Sequence, residues 1–199
     1  MNNLFQHIEI ELKNIVTKEE FNSLIQYFNF CEEDFFSQEN HYFDTKDFAL
    51  KKAGCALRIR QKNNQFELTL KQPHNEGLLE TNEYIEAHTA EKMFQSGEII
   101  SQSIKNLIRE MNIDPANMQY FGSLTTRRAE TKYNNGLIVL DHSFYLNKED
   151  YEIEYEVSNR EEGLEVFSSL LTQLRIPLRK TENKIMRFYL EKYNQQDRF

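Results

Sequence analysis

The chain has 199 residues, with 24 Lys and Arg against 32 Asp and Glu, a formal charge of −8 and 39% apolar residues. That length suits one domain able to bury a core without metal or disulfide staples, and only 3 Pro and 6 Gly exclude a disordered or fibrous chain. The acidic average argues against a protein that coats nucleic acid with its whole surface, and no apolar run is long enough to span a bilayer.

Residues 7–13 (HIEIELK) switch polarity at every second position, the mark of a strand. Thr17 and Glu20 then form a capping box, followed by Phe21, Leu24, Ile25 and Phe28 on one helical face. A strand is expected near 40–45, and Lys46 to Lys52 reads as a solvated loop. Residues 56–62 and 65–71 alternate on either side of Asn63-Asn64, a hairpin signature. Another strand is expected over 78–87 and a helix over 101–111, with Ile104, Leu107, Ile108 and Met111 at helical spacing. Strands over 120–133 and 136–144 flank the turn Asn134-Asn135-Gly136, and 151–157 alternates again. A helix over 161–174 stops before Pro177, and the tail from about 182 reads as helical. No repeat or linker divides the chain, so the expected fold is one α+β domain, residues 1–199, of about eight mainly antiparallel strands.

The polar positions of these strands are unusually pure in charge: Glu9, Glu11, Lys13; Arg58, Arg60; Glu67, Lys71; Glu152, Glu154, Glu156. Two accounts fit. The charged faces are wetted and the apolar faces form one central core, or the apolar faces pack outward against helices and the charged faces line a cavity. A lined cavity needs both signs, because one sign alone repels itself where the dielectric is low. Mixed signs suit a metal–phosphate substrate, with carboxylates for the cation and Arg or Lys for the anion. Periodicity alone leaves both accounts open.

The run Glu9-Ile10-Glu11-Leu12-Lys13 resembles the N-terminal ExExK motif of the CYTH domain, or triphosphate tunnel metalloenzyme superfamily. Further matches follow in order: Tyr42-Phe43-Asp44-Thr45, Leu57-Arg58-Ile59-Arg60, Leu68-Thr69-Leu70-Lys71, Arg128 in TTRRAE, Asp141, Glu152-Ile153-Glu154 and Lys184 in NKIMRFY. The resemblance covers about residues 7–190. It implies an eight-stranded antiparallel β-barrel forming a tunnel, with helices packed outside. It further implies a Mg²⁺- or Mn²⁺-dependent hydrolase acting on the terminal phosphoanhydride of inorganic triphosphate, thiamine triphosphate or a nucleoside triphosphate. Adenylyl cyclase chemistry and non-catalytic triphosphate binding are the alternatives, and a homodimer is left open.

Carried over residue by residue, Glu9, Glu11, Glu152 and Glu154 resemble the metal carboxylates, and Lys13, Arg58, Arg60, Lys71, Arg128 and Lys184 the phosphate-binding bases. Glu152 or Glu154 would orient or deprotonate the attacking water, and Lys184 is carried over both as a phosphate contact and as a third catalytic candidate. Asp141 and Glu80 resemble further acidic lining. Glu83 has the opposite strand parity to Glu80 and is the weaker choice, and Arg127 must face away from Arg128. The five His residues have no zinc spacing, and Cys31 and Cys55 read as small buried residues rather than nucleophiles. Tyr42 and Phe43 read as packing residues, with ring stacking at a tunnel mouth as the alternative. The N-terminus lacks the basic start and apolar stretch of a signal peptide, so a cytoplasmic protein is expected.

Overall fold

Period-two alternation builds eight antiparallel strands in this computed structural model, which describes residues 4–196 and side chains through Lys192. They are β1 (Leu4–Val16), β2 (Phe36–Thr45), β3 (Ala56–Lys62), β4 (Gln65–Pro73), β5 (Leu78–Ile85), β6 (Met118–Tyr133), β7 (Gly136–Tyr145) and β8 (Lys148–Val157). The strands close into a barrel in the hydrogen-bonded order β1-β5-β4-β3-β2-β6-β7-β8. The helices are α1 (Lys18–Tyr27), α2 (Ala49–Lys52), α3 (Ala87–Ser96), α4 (Gln102–Glu110), α5 (Arg160–Gln173) and α6 (Lys184–Gln196). No helix among the described residues is long and apolar enough to cross a membrane.

Two compact units make up the chain. One contains Gln38–Ser123 together with the start of β1 through Ile8. Its core joins Leu57 and Ile59 of β3, and Phe66, Leu68 and Leu70 of β4, to Ala90 and Met93 of α3 and Ile104 and Ile108 of α4. Asn63 and Asn64 both take positive φ, 49° and 62°, in the tight turn joining β3 to β4, a backbone Asn tolerates well. The other unit contains Glu9–Ser37 and the chain from Leu124 onward. There Leu12 of β1, Ile138 and Leu140 of β7, and Ile153 and Tyr155 of β8 pack with Phe21 and Leu24 of α1 and Phe167, Leu170 and Leu171 of α5. Helix α5 lies so close to β8 that a Cβ on Gly163 would stand 2.8 Å from Val157 Cγ2. In each unit, then, the apolar face of the strands is the face covered by helices.

The capping box at α1 forms as expected: Thr17 Oγ1 accepts from the Glu20 amide at 3.2 Å, and Glu20 Oε2 from the Thr17 amide at 2.8 Å. Three expectations are corrected. Helix α3 fills a stretch where no helix was expected, because its apolar stripe is short, Glu86 gives no side-chain cap, and only the left-handed Gly97 (φ 74°) marks an end. The segment expected as a solvated loop at Lys46 to Lys52 contains α2, whose amides at Leu50 and Lys51 donate to buried Asp44 at 2.9 and 3.1 Å. Cys31 is exposed rather than buried, and its thiol donates to Asp34 Oδ2 at 3.1 Å. Hydrogen bonding to Asp34 raises the Cys31 thiol above its ordinary value, which leaves no activated thiolate there.

Candidate active site

Strand β8 decides between the two accounts of the charged faces. Tyr151, Glu152, Ile153, Glu154 and Tyr155 are buried consecutively, so its acidic face is shielded from water as fully as its apolar face. A wetted outer face would expose Glu152 and Glu154. They are instead 0% and 3% exposed.

Register places the unit's remaining charges on that same face. Directly opposite residues of an antiparallel pair point to the same side. Glu152 faces Asp141 on β7, and Asp141 faces Arg128 on β6. On β1, Lys13 faces Glu154 and Glu11 faces Glu156. Arg128 donates to Asp141 through Nε at 2.7 Å and Nη2 at 2.6 Å, and through Nη2 to Glu154 at 2.9 Å. Lys184, at the first position of α6, reaches Asp141 at 2.8 Å and also contacts Glu152 and Glu154. Asn183 caps that helix by accepting from the Met186 amide at 3.0 Å, which sets the position of Lys184. On β1, the Lys13 ammonium lies 2.5 Å from Glu11 Oε1.

These contacts explain the ionisation. Burial alone would lower Lys184, but Asp141, Glu152 and Glu154 hold it well above its ordinary value. Burial also opposes the charge of Glu154, yet Lys184 and Arg128 keep that carboxyl well below the usual range. At Glu152 burial wins over Lys184 and pushes the group up to about 7. Glu156 is likewise pushed up to about 7, by burial and by Glu9, Glu154 and Glu11, against the pull of Arg128.

Ligand atoms from Asp141, Glu152 and Glu154 all lie within 4.8 Å of one another. Three carboxylates with no sulfur or imidazole match the donor preference of a hard divalent cation such as Mg²⁺. Asp141, expected only as further lining, belongs to this trio. Glu9 and Glu11 are not members of that trio, and both add to the negative field at Glu156.

In the unit that contains β2 to β5, Arg58 and Arg60 share a strand face with Thr69, Glu67 and Lys71 of β4 and with Glu80, Asn82 and Tyr84 of β5. Lys71 pairs with Glu80 directly across the ladder, and Arg58 Nη2 lies 3.9 Å from Glu80 Oε1. Arg60 donates to Asn40 of β2 at 3.3 Å. Glu83 faces the helices and accepts from the Ser101 hydroxyl at the start of α4. Phe43 joins the helix-side core, whereas Tyr42 faces Arg58 and is only 4% exposed, so neither presents an open ring for stacking. Arg127 points away from Arg128, binds Glu32 and lies 5.3 Å over the Phe35 ring.

Two charged groups of this environment were given no site role from the sequence, although Glu156 was counted among the charged strand positions. Glu156 follows Glu154 by two residues on the same strand face, a parity that was visible in the sequence. Arg187 donates to Glu152 Oε2 at 2.7 Å and to Asp150 at 2.8 Å, and its signal was the three-residue spacing from Lys184, which puts both on one helical face.

A family model for the CYTH domain matches residues 7–189. The chain belongs to the CYTH domain family. Among its relatives, the Bacillus subtilis (strain 168) protein named "Putative triphosphatase YjbK" is 50% identical over 188 residues, covering 94% of this chain and 97% of that one. A crystal structure from Bacillus halodurans, described as a "putative adenylate cyclase", is 44% identical with a TM-score of 0.89 and covers 92% of this CYTH chain and 98% of its own. The Hippeastrum protein HpAC1, described as a "putative adenylyl cyclase" with a dominant triphosphatase activity, shares the fold at a TM-score of 0.75 and 21% identity, over 96% of each chain.

Proposed function

We propose that this CYTH domain, spanning the whole chain, is a cytoplasmic enzyme that hydrolyses the terminal phosphoanhydride of a small triphosphate with Mg²⁺ or Mn²⁺. The observation that carries this reading is the buried cluster in which Asp141, Glu152 and Glu154 share the Lys184 ammonium beside Arg128. Oxygen donors for a cation and fixed positive charge for phosphate stand together there, shielded from water. The 50% identity to a protein named as a triphosphatase supports the same activity.

Asp141, Glu152 and Glu154, with Glu9 and Glu11, would hold the cation. When bound, that cation neutralises phosphate charge and polarises the bond to be broken. Arg128, Arg58 and Arg60 offer paired, planar donors to phosphate oxygens, while Lys13, Lys71 and Lys184 act as point charges. Glu80 balances Lys71 and Arg58. Glu152 or Glu154 orients the water that attacks the terminal phosphorus in line with the leaving oxygen and receives its proton. Arg187 and Lys184 fix the Glu152 carboxylate from two sides, which restricts its orientation.

The test is phosphate release from inorganic triphosphate, thiamine triphosphate and ATP with Mg²⁺ or Mn²⁺, with cyclic AMP measured in parallel. Metal-dependent phosphate release without cyclic nucleotide supports hydrolysis. Cyclic AMP formation would favour the cyclase reading, which the description of the 44% identical relative suggests. Binding with no turnover would leave a receptor.

A further inference from the structure

The charged face of β3, β4 and β5 is interrupted at one place by open aromatic rings. Phe5 and Tyr84 are 41% and 50% exposed. Their ring centroids lie 5.9 Å apart, and the Phe5 and His7 rings run nearly parallel, 15° between planes, at 6.4 Å. Strand alternation puts Phe5 and His7 on one side of β1. Tyr84 sits directly across from Glu67, which in turn sits across from Arg60. The His7 side chain is half exposed. Its Nε2 lies 3.7 Å from Glu80, the residue that contacts Lys71 and Arg58, and its Nδ1 lies 3.4 Å from Asn82 Nδ2. The rings are therefore continuous, through Glu80, with the bases assigned to phosphate.

Neighbouring positions on this face carry charged or short polar groups, namely Arg58, Arg60, Lys71, Glu67, Thr69 and Asn82. Open rings beside them leave apolar surface in water, which a flat partner would cover. Inorganic triphosphate has nothing to offer such rings. An ester whose organic group is a planar heteroaromatic ring does, because any such ring has a face to stack. From this placement we infer that Phe5, His7 and Tyr84 form a stacking subsite, and that the substrate is a triphosphate ester bearing a planar aromatic group. This rests on the triphosphatase reading above and narrows its substrate class.

The experiment compares kcat/KM for ATP, methyl triphosphate and inorganic triphosphate in wild type, Phe5→Leu, Tyr84→Leu and Tyr84→Phe. Leucine keeps apolar bulk and removes the flat face. Wild type should prefer ATP over methyl triphosphate. Each leucine variant should lower the ATP to inorganic triphosphate ratio about tenfold, within the range of one lost stack, and Tyr84→Phe should keep it. Ratios within twofold of wild type in both leucine variants, with inorganic triphosphate still hydrolysed, overturn the subsite and leave the triphosphatase reading standing. If no substrate is turned over, the hydrolase reading fails by itself. The same ratio, read as calorimetric binding of ATP against inorganic triphosphate, then decides the subsite. Wild type that binds neither overturns both.

Discussion

Arg128 on β6 holds Asp141 on β7 with two parallel hydrogen bonds, at 2.7 and 2.6 Å, and both side chains are shielded from water. A buried charge that loses its partner is costly, whereas removing both charges together costs much less. Asp141→Leu should therefore destabilise the fold by about 3 kcal/mol, read as a lower denaturation midpoint in urea. Adding Arg128→Met should recover most of that loss. A double variant no more stable than Asp141→Leu would mean that the pair is not the main term at this position.

Glu11 and Glu156 stand directly opposite each other on β1 and β8. Like charges in that relationship repel, and Glu9 and Glu154 add to the same field at Glu156. Glu156→Gln should stabilise the metal-free protein by about 0.5–1 kcal/mol at mildly alkaline pH, where Glu156 is ionised. A lower thermal midpoint in that variant would show that favourable contacts of Glu156 outweigh the repulsion.

Arg179 grips Glu20 with two hydrogen bonds, at 2.7 and 2.8 Å, and ties the segment before α6 to the start of α1. Hydrogen bonding to Arg179, with the Thr17 amide assisting, holds Glu20 below its ordinary value of 4.5. A carboxyl lowered in the folded state adds stability above its unfolded pKa and loses it as pH falls through the folded value. Both partners are partly exposed, so the term is about 0.5–1 kcal/mol. Glu20→Gln should lower stability near neutrality by that amount, and the gap to wild type should close as pH falls from the ordinary glutamate value through the lower folded one. A gap that persists in acid would assign the effect to the lost cap geometry.

Glu83 and Glu80 lie three residues apart in the sequence and on opposite faces of β5. Glu83 accepts from Ser101, whose hydroxyl also accepts from the Ile104 amide at 3.2 Å and so caps α4. Ser101→Ala should cost about 1 kcal/mol of stability and leave triphosphate hydrolysis at the wild-type rate. Glu80→Gln should instead raise KM by disturbing Lys71 and Arg58. Equal kinetic effects of the two substitutions would contradict the proposed role of the Glu80 face of β5 in substrate binding.

Much of this arrangement was legible in strand parity. Alternation in HIEIELK, ALRIRQK, QFELTLK and YEIEYEV separates the groups that meet helices from those that meet each other, and parity alone puts Glu80 and Glu83 on opposite faces, while the contacts with Lys71 and Ser101 show which face each takes. What alternation could not say is which face is outside, because that depends on whether helices or water cover it. Consecutive burial from Tyr151 to Tyr155 answers this. Contacts from outside a strand were the harder part. Arg187 approaches Glu152 from α6, and Asp44 is drawn into capping α2, neither of which period-two patterning encodes. Buried Asn14 breaks the apolar face of β1 for a similar reason: it accepts from the Arg179 amide at 2.6 Å and donates to the Pro177 carbonyl at 3.1 Å.

On the proposed function, the buried carboxylates and bases form a metal-dependent triphosphatase site. Its most direct test is the rate of phosphate release from inorganic triphosphate and ATP with Mg²⁺, for wild type, Glu11→Gln and Glu154→Gln, each checked by circular dichroism. Wild type should turn over substrate only with metal, and both folded variants should lose at least about 100-fold. Wild-type rates in either folded variant would contradict the proposed function.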